Sequence, residues 1–308
     1  MQSVAVKVLP SRKRILIACE HLSWEVTFWR RALEKDPHID TDLFVSRGGG
    51  DTKIKRFPTD TSALNDYHAL VLIHTSGIIT TDAASTIDKY VRSGGSILWL
   101  IDDWKIPSTS YKALSEVLTV EIPPGTEFIT DEFVPFIAAD GYSHPILRVV
   151  RHTEDLSNLI AGMPPLTGFV PASAKPDASV LLSHPENSSP ILTVGEIENG
   201  RCAIICGTSF WRWAIVPAGF GQDTHIFYNL ARNLMQFLLA KEKISHFVLR
   251  AGKRVYHSGE PVVISASLRD KSNQPLSGAN ITVDVSRNIS DSIEIFSVEL
   301  TEAGAGIY

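Results

Sequence analysis

Lys13 to Cys19 (KRILIAC), His68 to His74 (HALVLIH) and Ser96 to Ile101 (SILWLI) decide the fold. Each is a short, nearly continuous apolar run, and strands of that kind are buried on both faces, as in a parallel sheet. What lies between them agrees. Ser23 can cap a helix in which Val26, Trp29 and Leu33 recur at i, i+3 and i+7, flanked by Phe28 and Ala32, with Pro37 beyond its end. Ile39 to Val45 follows as a strand, and Arg47 to Tyr67, rich in Gly, Asp, Thr and Pro, is expected to be mostly loop. Thr80 or Thr81 opens a second helix with Ala84, Ile87 and Val91 on one face, closed by Gly94 and Gly95. Strand, helix, strand, strand, helix, strand in this order predicts an α/β fold: an open, mostly parallel sheet with helices on both faces.

From Glu121 to about Ala218 the pattern changes to short β-like runs broken by proline: FVPFIAADG, HPILRVV, MPPLTG, ASVLLSHPE, ILTVGEI and RCAIICGTSFWRW. Several are expected to add antiparallel strands at the sheet edge. Asp223 then caps a long helix to Lys243, with Phe227, Leu230, Leu234 and Phe237 at helical spacing. After Ser245 the residues alternate, with Gly and Pro turns, as in a β-sandwich. The predicted domains are therefore 1–245 and 246–308. The final apolar run ends at Tyr308, and such a sandwich usually takes about 100 residues, so a truncated sandwich in an excerpt of a longer protein is expected.

Composition excludes several classes. The 308 residues are 44% hydrophobic and 20% charged with net charge -5, too apolar for disorder and without the basic excess that nucleic-acid binding requires. No apolar run approaches the roughly 20 residues of a membrane helix, and the N-terminus lacks a signal-peptide core. The three cysteines, Cys19, Cys202 and Cys206, sit in apolar settings and read as core residues. Cys202 and Cys206, four apart on a strand, would be about 13 Å apart, beyond the roughly 7 Å a disulfide spans between Cα atoms. No motif for a metal or cofactor is present, and none is expected.

Two stretches carry a resemblance. RILIACEHLSWEVTFWRRALEKDPHIDTDLF is similar to the opening strand and helix of the class I glutamine amidotransferase-like domains of large bacterial envelope proteins, with their Trp-Glu pair at the helix start. DGYSHPILRV, MPPLTG and ENGRCAIICGTSFWRW resemble the later half of that domain, so the likeness covers roughly residues 12 to 243. GKRVYHSGEPVVISASLRDKSNQPLSGANITVDV resembles the immunoglobulin- or macroglobulin-like modules that follow such domains. The resemblance implies a flavodoxin-like domain joined to a sandwich, an extracytoplasmic setting, and other domains of the same parent chain as partners.

It does not imply catalysis. Active members place a cysteine on a sharp strand-to-helix turn and pair it with a later histidine. Here the comparable strand, GGSILWLI, runs into Asp102-Asp103-Trp104, without Cys or Ser. His184-Pro185-Glu186 reproduces the His-Pro-Glu of the triad but precedes a further hairpin, and HPENSSP, full of turn formers, reads as a surface turn.

Topology points to another place. Ligands of open α/β sheets bind outside the carboxyl ends of the strands, where this chain carries Glu20, His21, Arg47, His74, Asp102 and Asp103, with Ser209 and His144 able to join them. Adjacent carboxylates with histidines can do acid/base work or bind a metal; solvent-facing polar strand ends are the simpler reading. His144 before Pro145 also fits a structural role, its ring bonded to a backbone carbonyl. Phe210, Trp211 and Trp213, with Arg212 between, suit either a partner surface for a protein or carbohydrate ligand or packing against the sheet. Gly48-Gly49-Gly50 lacks the following Lys-Ser or Lys-Thr of a phosphate loop. Sequons at Asn187, Asn280 and Asn288 decide nothing. The expected function is a non-catalytic structural or ligand-binding module, with a strand-end hydrolase or metal-dependent enzyme and a carbohydrate-related accessory domain as alternatives.

Overall fold

The computed structural model describes residues 12–47, 54, 56–75, 77–101, 108–123, 125–149, 153–220, 225–240, 247–251, 261–268, 275–289, 292–304 and 306–308. The chain divides into two compact units, Met1–Lys241 and Glu242–Tyr308. The first opens with β1 (Lys13–Cys19), α1 (Trp24–Glu34), β2 (Ile39–Val45), α2 (Thr61–Leu64), β3 (Ala69–Ile73), α3 (Thr81–Arg92), β4 (Ser96–Leu100) and α4 (Ser108–Leu114). It continues with β5 (Val120–Glu121), β6 (Phe136–Ile137), α5 (Ala139–Ser143), α6 (Thr153–Ala161), β7 (Ser173–Ala174), β8 (Ser179–Ser183), β9 (Pro190–Ile197) and β10 (Gly200–Ile205), then α7 (Arg212–Gly219) and α8 (His225–Leu239).

Eight strands form one sheet in the order β2-β1-β3-β4-β10-β9-β8-β6. From β2 to β10 neighbours are parallel, in the 2-1-3-4-5 order of flavodoxin-like sheets. From β10 to β6 they are antiparallel, so the edge additions expected from residues 121–218 are present. Alternation sorts the side chains. The row Ile17, Val71, Leu98, Ala203 and Val194 faces a core shared with α1, α6, α7 and α8. The next row, Phe44, Ala18, Leu72, Trp99 and Ile204, faces a second core with α2, α3 and α4. Each Val, Leu, Ile or Phe side chain in these rows stabilises by about 1.5–3 kcal/mol when buried, and a strand with both rows apolar has no solvent face to offer.

The loop expected from Arg47 to Tyr67 contains the single-turn α2, capped by Asp60 through the Ser62 amide. Residues 144–149, expected as a strand in HPILRVV, form none: Pro145 sits in the first turn of a 3-10 helix (Pro145–Leu147) capped by the His144 ring, the position where its missing N–H is harmless. FVPFIAADG contributes only β6 before α5 begins. α6 and α7 fall in stretches read as β-like or left unassigned, because each is short and buries few positions; α6 buries Leu156 and Ile160. Asp223, Lys243, Gly48-Gly49-Gly50 and the Asp102-Asp103-Trp104 turn lie outside the described residues.

In the second unit β11 (Phe247–Ala251) pairs antiparallel with β12 (Ile264–Leu268), and β13 (Ile281–Ile289) with β14 (Ser292–Leu300). Ala266, Ile281, Val283 and Tyr308 form a small core. Tyr308 exchanges both backbone hydrogen bonds with Ala266, at 2.9 Å each.

Candidate functional site

The parallel strands deliver their carboxyl ends side by side, and backbone bonds stitch the exits together. The Glu20 amide donates to His74 O at 2.9 Å and the Arg47 amide to Glu20 O at 2.8 Å. The Glu20 carboxylate receives Arg47 Nε at 2.8 Å and lies against Gly77, where a Cβ would come within 2.8 Å of Oε1. Arg47 is well exposed, so this ion pair orients the rim more than it stabilises the fold.

His74 carries the site. Its φ is +49°, a left-handed conformation that is uncommon for a residue with a Cβ and clusters at functional sites. Its Nε2 lies 2.8 Å from Ser23 Oγ, and the His21 ring stacks on it with centroids 4.8 Å apart at 12°. Ser23 is also the cap of α1, its Oγ accepting the Val26 amide at 3.3 Å. Beside it Trp24, 58% exposed, stacks on Trp211 at 5.7 Å and 26°, and Phe28 backs Trp211 at 6.3 Å. The site therefore joins an imidazole–hydroxyl pair to an open indole platform.

Ser209 occupies the turn from β10 to α7, with φ +73°. A buried carboxylate holds that turn: Glu25 Oε1 accepts the Ser209 amide at 2.6 Å, and Oε2 accepts Trp29 Nε1 at 3.1 Å. Burial pushes the Glu25 pKa up to about 7, against the pull of these donors and of the Phe210 amide. Ser209 Oγ lies 2.6 Å from Thr167 Oγ1. Ser209 is thus tied to the first turn of α1 by its amide and to Thr167 by its hydroxyl.

The other expected residues divide. Glu20, His21, Arg47 and His74 meet at the ends of β1, β2 and β3, and Trp211 meets Trp24. Asp102 and Asp103 lie outside the described residues. His144 does not join: it is buried at 3% exposure, its Nδ1 accepts the Ile146 amide at 3.3 Å rather than bonding a carbonyl, and its ring packs edge-on against Phe237 of α8. Burial, with Arg148 near, lowers its pKa to about 4. Phe210 and Trp213 are core residues, and Arg212 reaches Pro165 O at 3.0 Å, so the partner surface expected there shrinks to Trp211. His184 is not on the surface although its turn is. Its ring sits between Phe133 and Phe169, bonded to Asp131 at 3.1 Å and to the Glu186 amide at 3.2 Å, while Glu186 itself is exposed.

All three cysteines are buried, and burial raises each thiol to about 12. Among the described residues no group of three or more His, Cys, Asp or Glu could hold a metal ion. Sequence reasoning missed Ser23, Trp24 and Glu25 as site residues. Ser23 reads as a helix cap and Glu25 as a first-turn acid favoured by the helix dipole; the Trp-Glu pair was the available signal.

Sheet order and strand-end site together make the first unit an open, flavodoxin-like α/β domain. No family model matches the chain, and no curated protein does. Solved structures do: two cytoplasmic proteins of Salmonella typhimurium are each 19% identical with TM-score 0.51, over 73% of this chain and 98% and 99% of theirs. At that identity the likeness shows the fold alone. A ThuA-like protein of Bacteroides uniformis is 14% identical with TM-score 0.45, over 79% of this chain and 97% of that one, too distant to bear on this chain.

Proposed function

We propose that the first unit is an amidotransferase-like module that binds a ligand at the carboxyl ends of its strands and has lost the glutaminase reaction. The observation that carries this is the cluster of His21, Ser23 and His74 beside the exposed Trp24, which stacks on the half-buried Trp211, with every thiol buried. Glutaminase chemistry needs an accessible thiolate, and a thiol at about 12 supplies almost none near neutral pH. The second unit, with two antiparallel ladders and a small common core, suits an immunoglobulin- or macroglobulin-like sandwich beside it in a larger parent chain. A bacterial envelope setting draws on the sequence resemblance only: no helix among the described residues is long and apolar enough to cross a membrane, and the similar Salmonella proteins are described as cytoplasmic. Native protein incubated with glutamine should release no ammonia, and a thiol reagent at pH 7.5 should modify no cysteine until the chain is unfolded. Ammonia release abolished by the reagent would overturn the reading.

Exposure of Trp24, stacked on the half-buried Trp211, favours a second reading, a carbohydrate ligand, since sugar rings present a C–H face to indoles and hydroxyls to polar neighbours such as His21 and Arg47. Trp24→Ala and Trp211→Ala should each abolish retardation in gels containing a soluble polysaccharide that retards the native chain; retardation unchanged in both variants counts against it.

A further inference from the structure

We propose that Ser23 and His74 form a nucleophile and general base that hydrolyse small carboxylic esters whose apolar or ring portion lies on the Trp24–Trp211 pair. This rests on the strand-end reading and goes beyond it by assigning a reaction. Ser23 sits in the turn between β1 and α1, the kind of strand-to-helix turn from which activated nucleophiles are presented. Capping explains its bond to the Val26 amide. It does not explain a histidine held at φ +49° with Nε2 2.8 Å from the same oxygen, nor the second imidazole stacked on that ring. The stack limits rotation of His74 and keeps Nε2 on Ser23, which is the geometry a general base needs. The first-turn amides of α1, Trp24 and Glu25, have no carbonyl one turn earlier to bond and form the electropositive helix end that follows Ser23, a source of donors for the negative charge that an attacked ester develops on its carbonyl oxygen.

The step balances with water as the only co-reactant. Ser23 Oγ forms a bond to the ester carbonyl carbon as its proton passes to His74 Nε2, and the carbonyl π pair moves onto oxygen. Collapse breaks the carbon–alkoxy bond, and the leaving alkoxide takes the proton from His74 as alcohol. Water then attacks the acyl-serine, giving its proton to His74; the carbon–Oγ bond breaks, Oγ recovers that proton, and the carboxylic acid leaves.

The full chain is treated with a fluorophosphonate probe and mapped by peptide mass, and turnover of 1-naphthyl acetate is followed with quenching of tryptophan fluorescence. The expected result is an adduct on Ser23 and steady hydrolysis, both at background in Ser23→Asp, which keeps a capping oxygen. His74→Gln should slow labelling by about 100-fold or more. A wild-type chain that quenches with naphthyl acetate yet gives no Ser23 adduct overturns the reaction and leaves the binding reading standing; neither quenching nor adduct overturns both. Labelling of Ser23 unchanged in His74→Gln removes the base and with it the proposal.

Discussion

Glu25 is held between two opposing demands. Burial favours the neutral acid, while the Ser209 and Phe210 amides and the Trp29 indole, all donors, favour the carboxylate; burial wins and the pKa rises from 4.5 to about 7. Between those values the folded chain keeps a proton that the unfolded chain has released. Its stabilising contribution is therefore full below pH 4.5 and gone above pH 7, a difference of about 3 kcal/mol. His144 runs the other way: with its pKa lowered from 6.5 to about 4, it contributes fully above pH 6.5 and loses a similar amount, about 3 kcal/mol, as pH falls through 4. The two slopes oppose between pH 4.5 and 6.5, and these residues together should leave the urea midpoint nearly level there. His144→Asn keeps an acceptor for the Ile146 amide and should make the midpoint rise on acidification from pH 7 to 5. Glu25→Gln should make it fall from pH 6.5 to 4.5, and at pH 8 should cost about 1–3 kcal/mol, because an amide NH₂ must then face an N–H donor. Level profiles in both variants would refute the assignment.

At the scale of elements, hydrophobic pattern and caps were enough to place β1, β2, β3 and β4 with α1 and α3, because period and capping are local. Ser23 and Thr80 cap α1 and α3 through the Val26 and Ala83 amides, as their side chains predict. The short helices α4, α6 and α7 were not legible, since so few turns leave no periodicity above the proline-rich background. Two substitutions test how the elements hold each other. Leu98→Ala, in the fully buried row of β4, should lose about 2–5 kcal/mol by urea titration. Gly200→Ala should lose about 1–3 kcal/mol, because its Cβ would come within 2.2 Å of the Val91 and Gly95 carbonyls, forcing the β9–β10 turn off the end of α3. A Gly200→Ala chain as stable as wild type would show that this approach is not required.

For the whole molecule, the two-unit division at Lys241 predicts that residues 1–241 expressed alone unfold in one cooperative step, with native near-ultraviolet circular dichroism from Trp29, Trp99 and Trp213, all buried in this unit. A broad, non-cooperative transition would mean that the first unit depends on the second. By itself the amino-acid sequence determined the parallel half of the sheet, the longer helices α1, α3 and α8 of its cover, the burial of the cysteines and the location of polar groups at the strand ends, because hydrophobic periodicity and caps act over a few residues. Only the tertiary structure decided which of those groups act together. Ser23 meets His74 across 51 residues, and Glu25 grips the Ser209 amide across 184, while His144 and His184, alike in sequence setting, turn into the core. Such pairings depend on strand order and loop exit, and neither is written in any local pattern of residues.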